Sequence, residues 1–169
     1  MSLAGAAVGG VIAPFTLRPA RALDALAVVR WFPTRASVVL WAGPGLPEPL
    51  HGMWLAREVA RQRHYVLIGP EGGLAGFFGV TFHLGERRAH LIRFALAPGL
   101  RGRGLGDVLV RAAVEVASSQ GAAERLTLAV YAHNAPARRT YERAGFGAYA
   151  RAGQEVTPEG EVVRMVLEL

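Results

Sequence analysis

Three glycines alternate with larger residues in one short segment, Arg101-Gly102-Arg103-Gly104-Leu105-Gly106. The segment lies between a predicted strand that ends near Ala97 and a strongly amphipathic helical pattern. Glycine lets the backbone come close to a ligand, and successive N–H groups at the start of a helix attract phosphate. The chain has no lysine, and the spacing is neither GxxxxGK[ST] nor GxGxxG. We therefore predict a pyrophosphate-binding turn; a tight strand-to-helix connection is the structural alternative.

The composition describes a folded chain with excess positive charge. Of the 169 residues, 51% are hydrophobic and 19% are charged, and the mean hydropathy is +0.25, which excludes a disordered chain. The net charge is +6, and five arginines but no acidic residue lie between residues 87 and 103, which favours an anionic ligand. The absence of cysteine excludes disulfides, thiolate zinc sites and a cysteine-borne acyl intermediate. We predict a flexible N-terminal arm over residues 1–14 and a single domain over residues 15–169.

Hydrophobic periodicity predicts an α/β domain with a mixed sheet. Pro and Gly residues mark residues 41–49 as a loop, and short turns join three strands into an antiparallel meander. Asn134 and Gly145 mark the start and the end of the last helix. The predicted strands are 15–19, 64–68, 74–84, 89–97, 125–131, 146–150 and 161–167, and the predicted helices are 21–32, 50–63, one that begins near 105, and 134–145.

Two motifs in this pattern resemble those of the GNAT superfamily of acetyl-coenzyme A-dependent N-acetyltransferases. The first is Arg101-x-x-Gly104-x-Gly106 after a strand, and the second is Asn134-x-x-Ala137-x-x-x-Tyr141-x-x-x-Gly145-Phe146. With the matching order of elements, the resemblance covers nearly the whole domain. It implies a GNAT-like acyl-CoA N-acyltransferase fold: a mixed, mostly antiparallel, twisted sheet of about six to seven strands, flanked by about four helices.

The resemblance also implies where acetyl-CoA, the co-substrate, is held. The strand before the glycine turn would separate from the next parallel strand, and the pantetheine arm would lie in that gap. The pyrophosphate would rest on the amides of residues 102–106. The implied coenzyme-binding residues are Phe94, Ala95, Leu96, Arg101, Gly102, Arg103, Gly104, Leu105, Gly106, Asn134, Ala137 and Arg138.

Acetyl transfer to an amine needs an oxyanion donor, a proton source for the departing thiolate and an acceptor for the amine proton. The resemblance places Tyr141 as the acid, and the backbone N–H of Phe94 as the oxyanion donor. His90 stands where some members of the superfamily have a catalytic glutamate, and neutral imidazole can accept a proton near neutral pH. His83, Glu86 and water are the alternatives for this base.

The resemblance therefore implies an N-acetyltransferase that acetylates a primary amine of a small molecule or a peptide. Because there is no cysteine, direct attack in a ternary complex is favoured over an acyl-enzyme. Trp41, Trp54 and Glu58 are candidate residues of the acceptor pocket. We further expect a cytoplasmic protein with no metal and no membrane span, and a homodimer as its assembly.

Two other functions remain as alternatives. The first keeps the fold and acyl-CoA binding but loses turnover, which leaves a ligand sensor. The second is a basic nucleic-acid-binding domain, which the sequence pI of about 10.9 favours. The chain has no RNP motif and no helix-turn-helix signature, so nucleic acid is the more distant alternative.

Overall fold

The computed structural model describes residues 10–12, 14–46, 49–119, 123–149 and 155–169. Within these residues nine strands form one sheet and five α-helices pack on it. The strands are β1 (Gly10–Ile12), β2 (Phe15–Pro19), β3 (Arg63–Ile68), β4 (Leu74–His83), β5 (Arg88–Leu96), β6 (Arg125–Tyr131), β7 (Gly147–Ala148), β8 (Glu155–Thr157) and β9 (Gly160–Glu168). The helices are α1 (Ala22–Val28), α2 (Arg35–Ala42), α3 (Gly52–Arg61), α4 (Leu105–Ser119) and α5 (Ala135–Arg143).

The sheet order is β1-β2-β3-β4-β5-β6-β9-β7, and β8 pairs with β9. Strands β5 and β6 are parallel, and every other pairing in the described residues is antiparallel. Short turns can join antiparallel neighbours, whereas the parallel pair needs a crossover, which α4 provides. The predicted mixed, mostly antiparallel sheet of the α/β class is therefore confirmed.

Helices cover the two faces of the sheet separately. On one face, α4 and α5 contribute Leu109 and Tyr141 to the larger hydrophobic core. On the other face, α1, α2 and α3 contribute Val28, Val38 and Leu55 to a smaller core. Side chains alternate between the faces of a strand, so each strand between these layers supplies both cores. This arrangement fixes the start of α4, where the glycine turn lies.

The boundaries of α5 agree with the sequence prediction. The Asn134 side chain accepts a hydrogen bond from the backbone N–H of Ala137 at 3.4 Å, and Pro136 occupies the first turn. Gly145 follows the helix with a φ of +94°, a left-handed conformation that favours glycine. Local capping chemistry alone is sufficient to predict these ends.

Helix α2 was not predicted, and its last residues, Trp41 and Ala42, fall in the segment expected to be a loop. The helix begins after Thr34, where Thr34 and Ser37 each accept a hydrogen bond from the other's backbone N–H. Its β-branched residues and short length give a weak helical signal, and packing of Val38 in the smaller core stabilises it. Five helices are therefore described instead of the expected four.

Further strands also extend the expected sheet. Of the predicted N-terminal arm, residues 10–12 form β1, which pairs with β2, whereas residues 1–9 and 13 lie outside the described residues. The polar segment around residues 157–160 is the turn of the β8–β9 hairpin. Residue 150 of the predicted strand 146–150 lies outside the described residues. In the described part of the chain, no helix is both long and apolar enough to span a bilayer.

A partly buried ion pair joins β2 to α1. The Arg18 guanidinium donates to both carboxylate oxygens of Asp24, at 2.7 and 2.9 Å, and the backbone N–H of Arg21 donates to Asp24 at 2.7 Å. Burial would raise the pKa of Asp24, but these donors outweigh it and hold the pKa below its ordinary value. Asp24 therefore stabilises the start of α1 and its position on the sheet.

We expect the substitution Asp24→Ala to lower the free energy of unfolding by about 2 kcal/mol, since it leaves Arg18 and the Arg21 N–H without their acceptor. The matched control is Glu124→Ala, because Glu124 pairs with Arg87 on an exposed surface and should cost less than about 1 kcal/mol. Urea unfolding of both variants measures the difference. If both variants lost the same free energy of unfolding, the Asp24 cluster would stabilise the protein no more than an exposed ion pair does.

Candidate functional site

Strands β5 and β6 separate part of the way along the sheet. They pair only through Arg88↔Arg125, Ala89↔Leu126 and His90↔Thr127. Beyond this point both strands continue, but no pairing joins them. A cavity of about 770 Å³ fills the gap, and residues 91–96 and 128–131 line it. The separation of parallel strands that the resemblance implies is therefore present.

A bulge in β5 accompanies the separation. On β4, Gly79 lies opposite Ile92 and Phe77 lies opposite Ala95, so two residues of β5 face one residue of β4. Arg93, the first of the two, has a φ of +56°, which is unusual for a residue with a side chain. The extra residue reverses the facing of the side chains that follow it.

The bulge turns Arg93 toward the face of the smaller core and Phe94 toward the face of the larger core. Phe94 packs in the larger core, with its ring 5.4 Å from that of Tyr141 in an edge-on arrangement. The Arg93 guanidinium donates to the carbonyl oxygen of Ala42 at 2.8 Å and lies over the rings of Trp41 and Trp54. Burial lowers the pKa of Arg93, an effect that the charge of Glu58 opposes. Arg93 thus fixes the end of α2 beside the cavity.

The glycine turn lies at the mouth of the same cavity. Gly102 and Gly104 have φ values of +73° and +75°, and a Cβ at either position would meet no atom within 4 Å. Within the described residues, the backbone N–H groups of residues 102–106 donate to no carbonyl. A row of unpaired amides at the start of α4 is suited to a phosphate group. Gly106 has a different role, because a Cβ there would lie 2.8 Å from Thr140 of α5.

Most of the predicted coenzyme-binding residues line this one cavity. The residues that do so are Phe94, Ala95, Leu96, Arg101, Gly102, Gly104, Gly106, Asn134 and Ala137, together with the predicted catalytic residues His90 and Tyr141. Arg103 and Leu105 are not among its lining residues. The Arg101 side chain is engaged by the protein itself, since it donates to the carbonyls of Leu96 and Trp31.

Arg138, which was expected on the wall formed by α5, is not among the lining residues. It donates to the carbonyl of Ala132 and pairs with Glu142 one turn further along the helix. The neighbouring Arg139 lines the cavity instead. Successive residues of a helix are rotated by about 100°, so the wall takes the side of α5 that carries Ala137 and Tyr141, and Arg138 points away from it.

Tyr141 is the most deeply buried of the predicted catalytic side chains. It is 6% exposed, and burial raises the pKa of its phenol. Its ring contacts Phe94 and Phe146, and no described residue takes its hydroxyl as a hydrogen-bond partner. The phenol is therefore protonated throughout the physiological pH range and is a hydrogen-bond donor at the cavity wall.

His90 lies where β5 and β6 begin to separate. Its Nδ1 is 2.9 Å from Oγ1 of Thr127, which in turn lies 3.2 Å from the carbonyl of Ala89 and 3.3 Å from a nitrogen of Arg88. When the Thr127 hydroxyl donates to the carbonyl, His90 Nδ1 is the donor to Thr127, and Nε2 keeps its lone pair. Burial first, then the charges of Arg88, His83 and Arg164, lower the pKa of His90 to about 4.

The sequence reasoning did not identify five residues of the cavity wall or its supports. Thr127 and Arg139 gave no signal, because each belongs to an ordinary strand or helix pattern. Arg164 and Glu155 form an ion pair on the β8–β9 hairpin, and both line the cavity. Arg93 had a detectable signal, since the apolar alternation that begins at Ala89 is offset by one residue after position 92. Among the described residues, no group of three or more His, Cys, Asp or Glu side chains is arranged to hold a metal.

A mixed sheet that opens at its parallel strand pair, beside a glycine turn at a helix start, defines the GNAT-like N-acyltransferase fold class. Residues 27–146 match the Acetyltransferase (GNAT) family, and the chain belongs to this family. It is 39% identical over 107 residues to streptothricin acetyltransferase of Streptomyces lavendulae, covering 62% of this chain and 56% of that protein. It is 37% identical over 82 residues to a putative [ribosomal protein bS18]-alanine N-acetyltransferase of Bacillus subtilis, covering 48% and 52%. The chain thus spans about half the length of these curated relatives.

Solved structures have the same fold. A spermidine N-acetyltransferase from Vibrio cholerae, in complex with CoA and spermine, superposes with a TM-score of 0.75 at 18% identity, over 92% of this chain and 96% of that chain. An aminoglycoside acetyltransferase, AAC(6')-Ib, in complex with coenzyme A, gives a TM-score of 0.72 at 25% identity, over 91% and 94%.

We expect His90 to titrate near pH 4, and not near 6.5, in histidine NMR spectra assigned with His90→Gln. Since unfolded His90 binds its proton at higher pH, the free energy of unfolding should fall as the pH is lowered from 6.5 to 4. Thr127→Val should remove the fixed Nδ1–H tautomer, whereas Thr127→Ser, which keeps the hydroxyl, should retain it. An Nε2–H tautomer in the wild-type protein would contradict this arrangement.

Proposed function

We propose that this chain is an acetyl-CoA-dependent N-acetyltransferase that acetylates a primary amine of a small molecule or a peptide. The observation that carries the proposal is the gap between β5 and β6, which opens beside unpaired amides at the start of α4. The names of the relatives support acetyl transfer to nitrogen, and their acceptors are diverse: streptothricin, a ribosomal protein alanine, spermidine and aminoglycosides.

The cavity residues fit coenzyme A. The amides of residues 102–106 would bind the pyrophosphate, since positive φ at Gly102 and Gly104 turns the backbone toward open space. Positive charge from Arg139, which lines the same cavity, would add to this attraction, whereas the charge of Arg143 is compensated by its ion pair with Asp107. The backbone of residues 94–96 would pair with the pantetheine arm along the gap, opposite Asn134 and Ala137 on α5.

Direct attack in a ternary complex requires three contributions from the chain. Neither Arg93 nor Phe94 has a register partner on β4, so the Phe94 N–H is the proposed donor to the oxyanion that develops on the thioester carbonyl. As the C–N bond forms and the C–S bond breaks, Tyr141 gives its hydroxyl proton to the thiolate. His90 Nε2, directly or through water, takes the proton that the amine loses.

The low pKa of His90 limits its role. Imidazole with a pKa of about 4 is neutral at pH 7, so it is in the form that can accept a proton. It is too weak a base to deprotonate an aliphatic ammonium in solution, and it would act only as the amine nitrogen becomes acidic during attack. The amine would therefore enter as its free base. The cytoplasmic location and the homodimer stay predictions.

Calorimetry with acetyl-CoA tests the proposal directly, and we expect saturable binding in the micromolar range. Gly104→Ala should weaken binding at least fivefold, because a side chain strains the left-handed backbone that presents the amides. Gly99→Ala is the matched control, since Gly99 precedes the same turn, has open space and lacks a positive φ. Circular dichroism confirms that both variants fold. No binding by the wild-type protein would reject the proposal, and equal binding by both variants would reject the phosphate site.

We expect Tyr141→Phe to lower kcat at least tenfold and to change the dissociation constant of acetyl-CoA less than twofold, because it removes one hydroxyl and keeps the ring packed on Phe94. The assay follows thiol release with an amine acceptor. The matched control is Tyr65→Phe, at another buried tyrosine, which packs on Phe78 away from the cavity. Unchanged kcat in the Tyr141 variant would remove its role as the acid.

A further inference from the structure

The part of the cavity beyond the glycine turn forms an acceptor chamber, which we define by the residues Trp41, His90, Arg93, Glu155 and Arg164. Helices α1 to α3 pack on β3, β4 and β5 on this face of the sheet, and no residue of β6, β8 or β9 belongs to the core that they form. The side chains of β6, β8 and β9 on this face therefore form the floor of the chamber and do not pack against a helix.

Register pairing places Arg164 and Glu155 on this floor. Arg164 lies opposite Ala129, which is exposed, and Glu155 lies opposite Val162, two residues from Arg164. Leu128 and Val130, which flank Ala129 on β6, belong to the core beneath α4, so Ala129 and Arg164 face the other way. The Arg164 and Glu155 side chains are 27% and 48% exposed, so both are accessible from the chamber.

The charge of the cavity wall is strongly asymmetric. Of the described residues that line the whole cavity, Glu155 is the one carboxylate, and the cations are Arg93, Arg101, Arg139, Arg143 and Arg164. Arg101, Arg139 and Arg143 belong to the glycine-turn end. In the chamber, Glu155 is already paired with Arg164, so its charge is compensated. This wall offers no unpaired carboxylate to a cationic acceptor.

One of these cations, Arg164, also acts at the position where the amine must react. The pKa of His90 is lowered by burial and then by Arg88 of its own strand, His83 of β4 and Arg164 of β9. An ammonium group beside His90 would meet the same unfavourable potential. A polyamine would bring two or more such groups into a chamber that Arg93 and Arg164 both line.

Resting on the N-acetyltransferase function proposed above, we propose that the acceptor is a primary amine with a carboxylate close to its amino group, as in an α-amino acid, and that Arg164 binds this carboxylate. The guanidinium has five N–H donors, of which Glu155 occupies only some. Its planar fork suits a carboxylate, and the exposed Glu155 can give way to one. Trp41 also lines the cavity, and its buried indole N–H has no acceptor among the described residues.

The test compares kcat/KM for glycine and the standard L-amino acids that carry a primary α-amine, for their amides and for spermidine, by thiol release from acetyl-CoA. We expect kcat/KM for the best amino acid to be at least tenfold higher than kcat/KM for its own amide. Spermidine should have a lower kcat/KM than that amide. The α-amine of an amino acid amide is less basic than the α-amine of the free amino acid, so a larger fraction of the amide is unprotonated at pH 7. A preference for the free acid therefore has to come from recognition of the carboxylate.

Variants separate a specific contact from general electrostatics. The ratio to follow is kcat/KM for the free amino acid divided by kcat/KM for its amide. In Arg164→Gln this ratio should fall to less than two, mainly because KM for the free amino acid rises. Glu155→Gln should act in the opposite direction and raise the ratio, because it frees the guanidinium. Arg111→Gln is the matched control, since it removes an equal charge from the exposed side of α4, outside the cavity, and should leave the ratio unchanged.

A ratio near one in the wild-type protein, spermidine as the best acceptor, or an unchanged ratio in Arg164→Gln would overturn the inference. If calorimetry shows that the protein binds acetyl-CoA but no amino acid is acetylated, the inference is also overturned, while the coenzyme site is still supported. Absence of acetyl-CoA binding would instead show that the proposed function itself has failed.

Discussion

One extra residue in β5 determines how the rest of the site is arranged. Without the bulge at Arg93, the side chains after Ile92 would keep their alternation, and Phe94 would face the smaller core instead of Tyr141. A positive φ at an arginine carries a conformational cost of order 1 kcal/mol or more. The contacts of its guanidinium with Ala42 and the tryptophan rings offset that cost. The strain and its compensation therefore lie within one cluster at the cavity wall.

In the function that we propose, the cavity has two tasks, and both depend on positive potential. At the glycine turn, backbone amides and surface arginines would attract phosphates without burying a charge. In the acceptor chamber, burial first and then the charges of Arg88, His83 and Arg164 lower the pKa of His90, so the imidazole is neutral at pH 7. Thr127 then determines which ring nitrogen is left free. A small number of charged groups thus controls both the binding and the proton chemistry that we propose.

Local signals in the sequence were sufficient for a large part of the fold. Capping at Asn134 and Gly145 gave the ends of α5, and the apolar stripe from Leu105 gave α4, because both depend on chemistry within one or two turns. Helix α2 was missed because its stability comes from the packing of Val38 against residues that are far from it in the sequence. The ion pair of Glu155 with Arg164 gave no signal, because a hairpin register brings the two side chains together.

The sequence by itself determined the class of the fold and the glycine turn, because these follow from backbone propensities and short-range spacing. Its resemblance to the GNAT superfamily added the coenzyme-binding residues, most of which line the cavity. The choice of Arg139 over Arg138 depended on the rotation of α5 against the sheet. The tautomer of His90 depended on a hydroxyl 37 residues away in the chain. The tertiary structure decided these points, since electrostatic potential and hydrogen-bond geometry are set by groups that become neighbours only when the strands are paired.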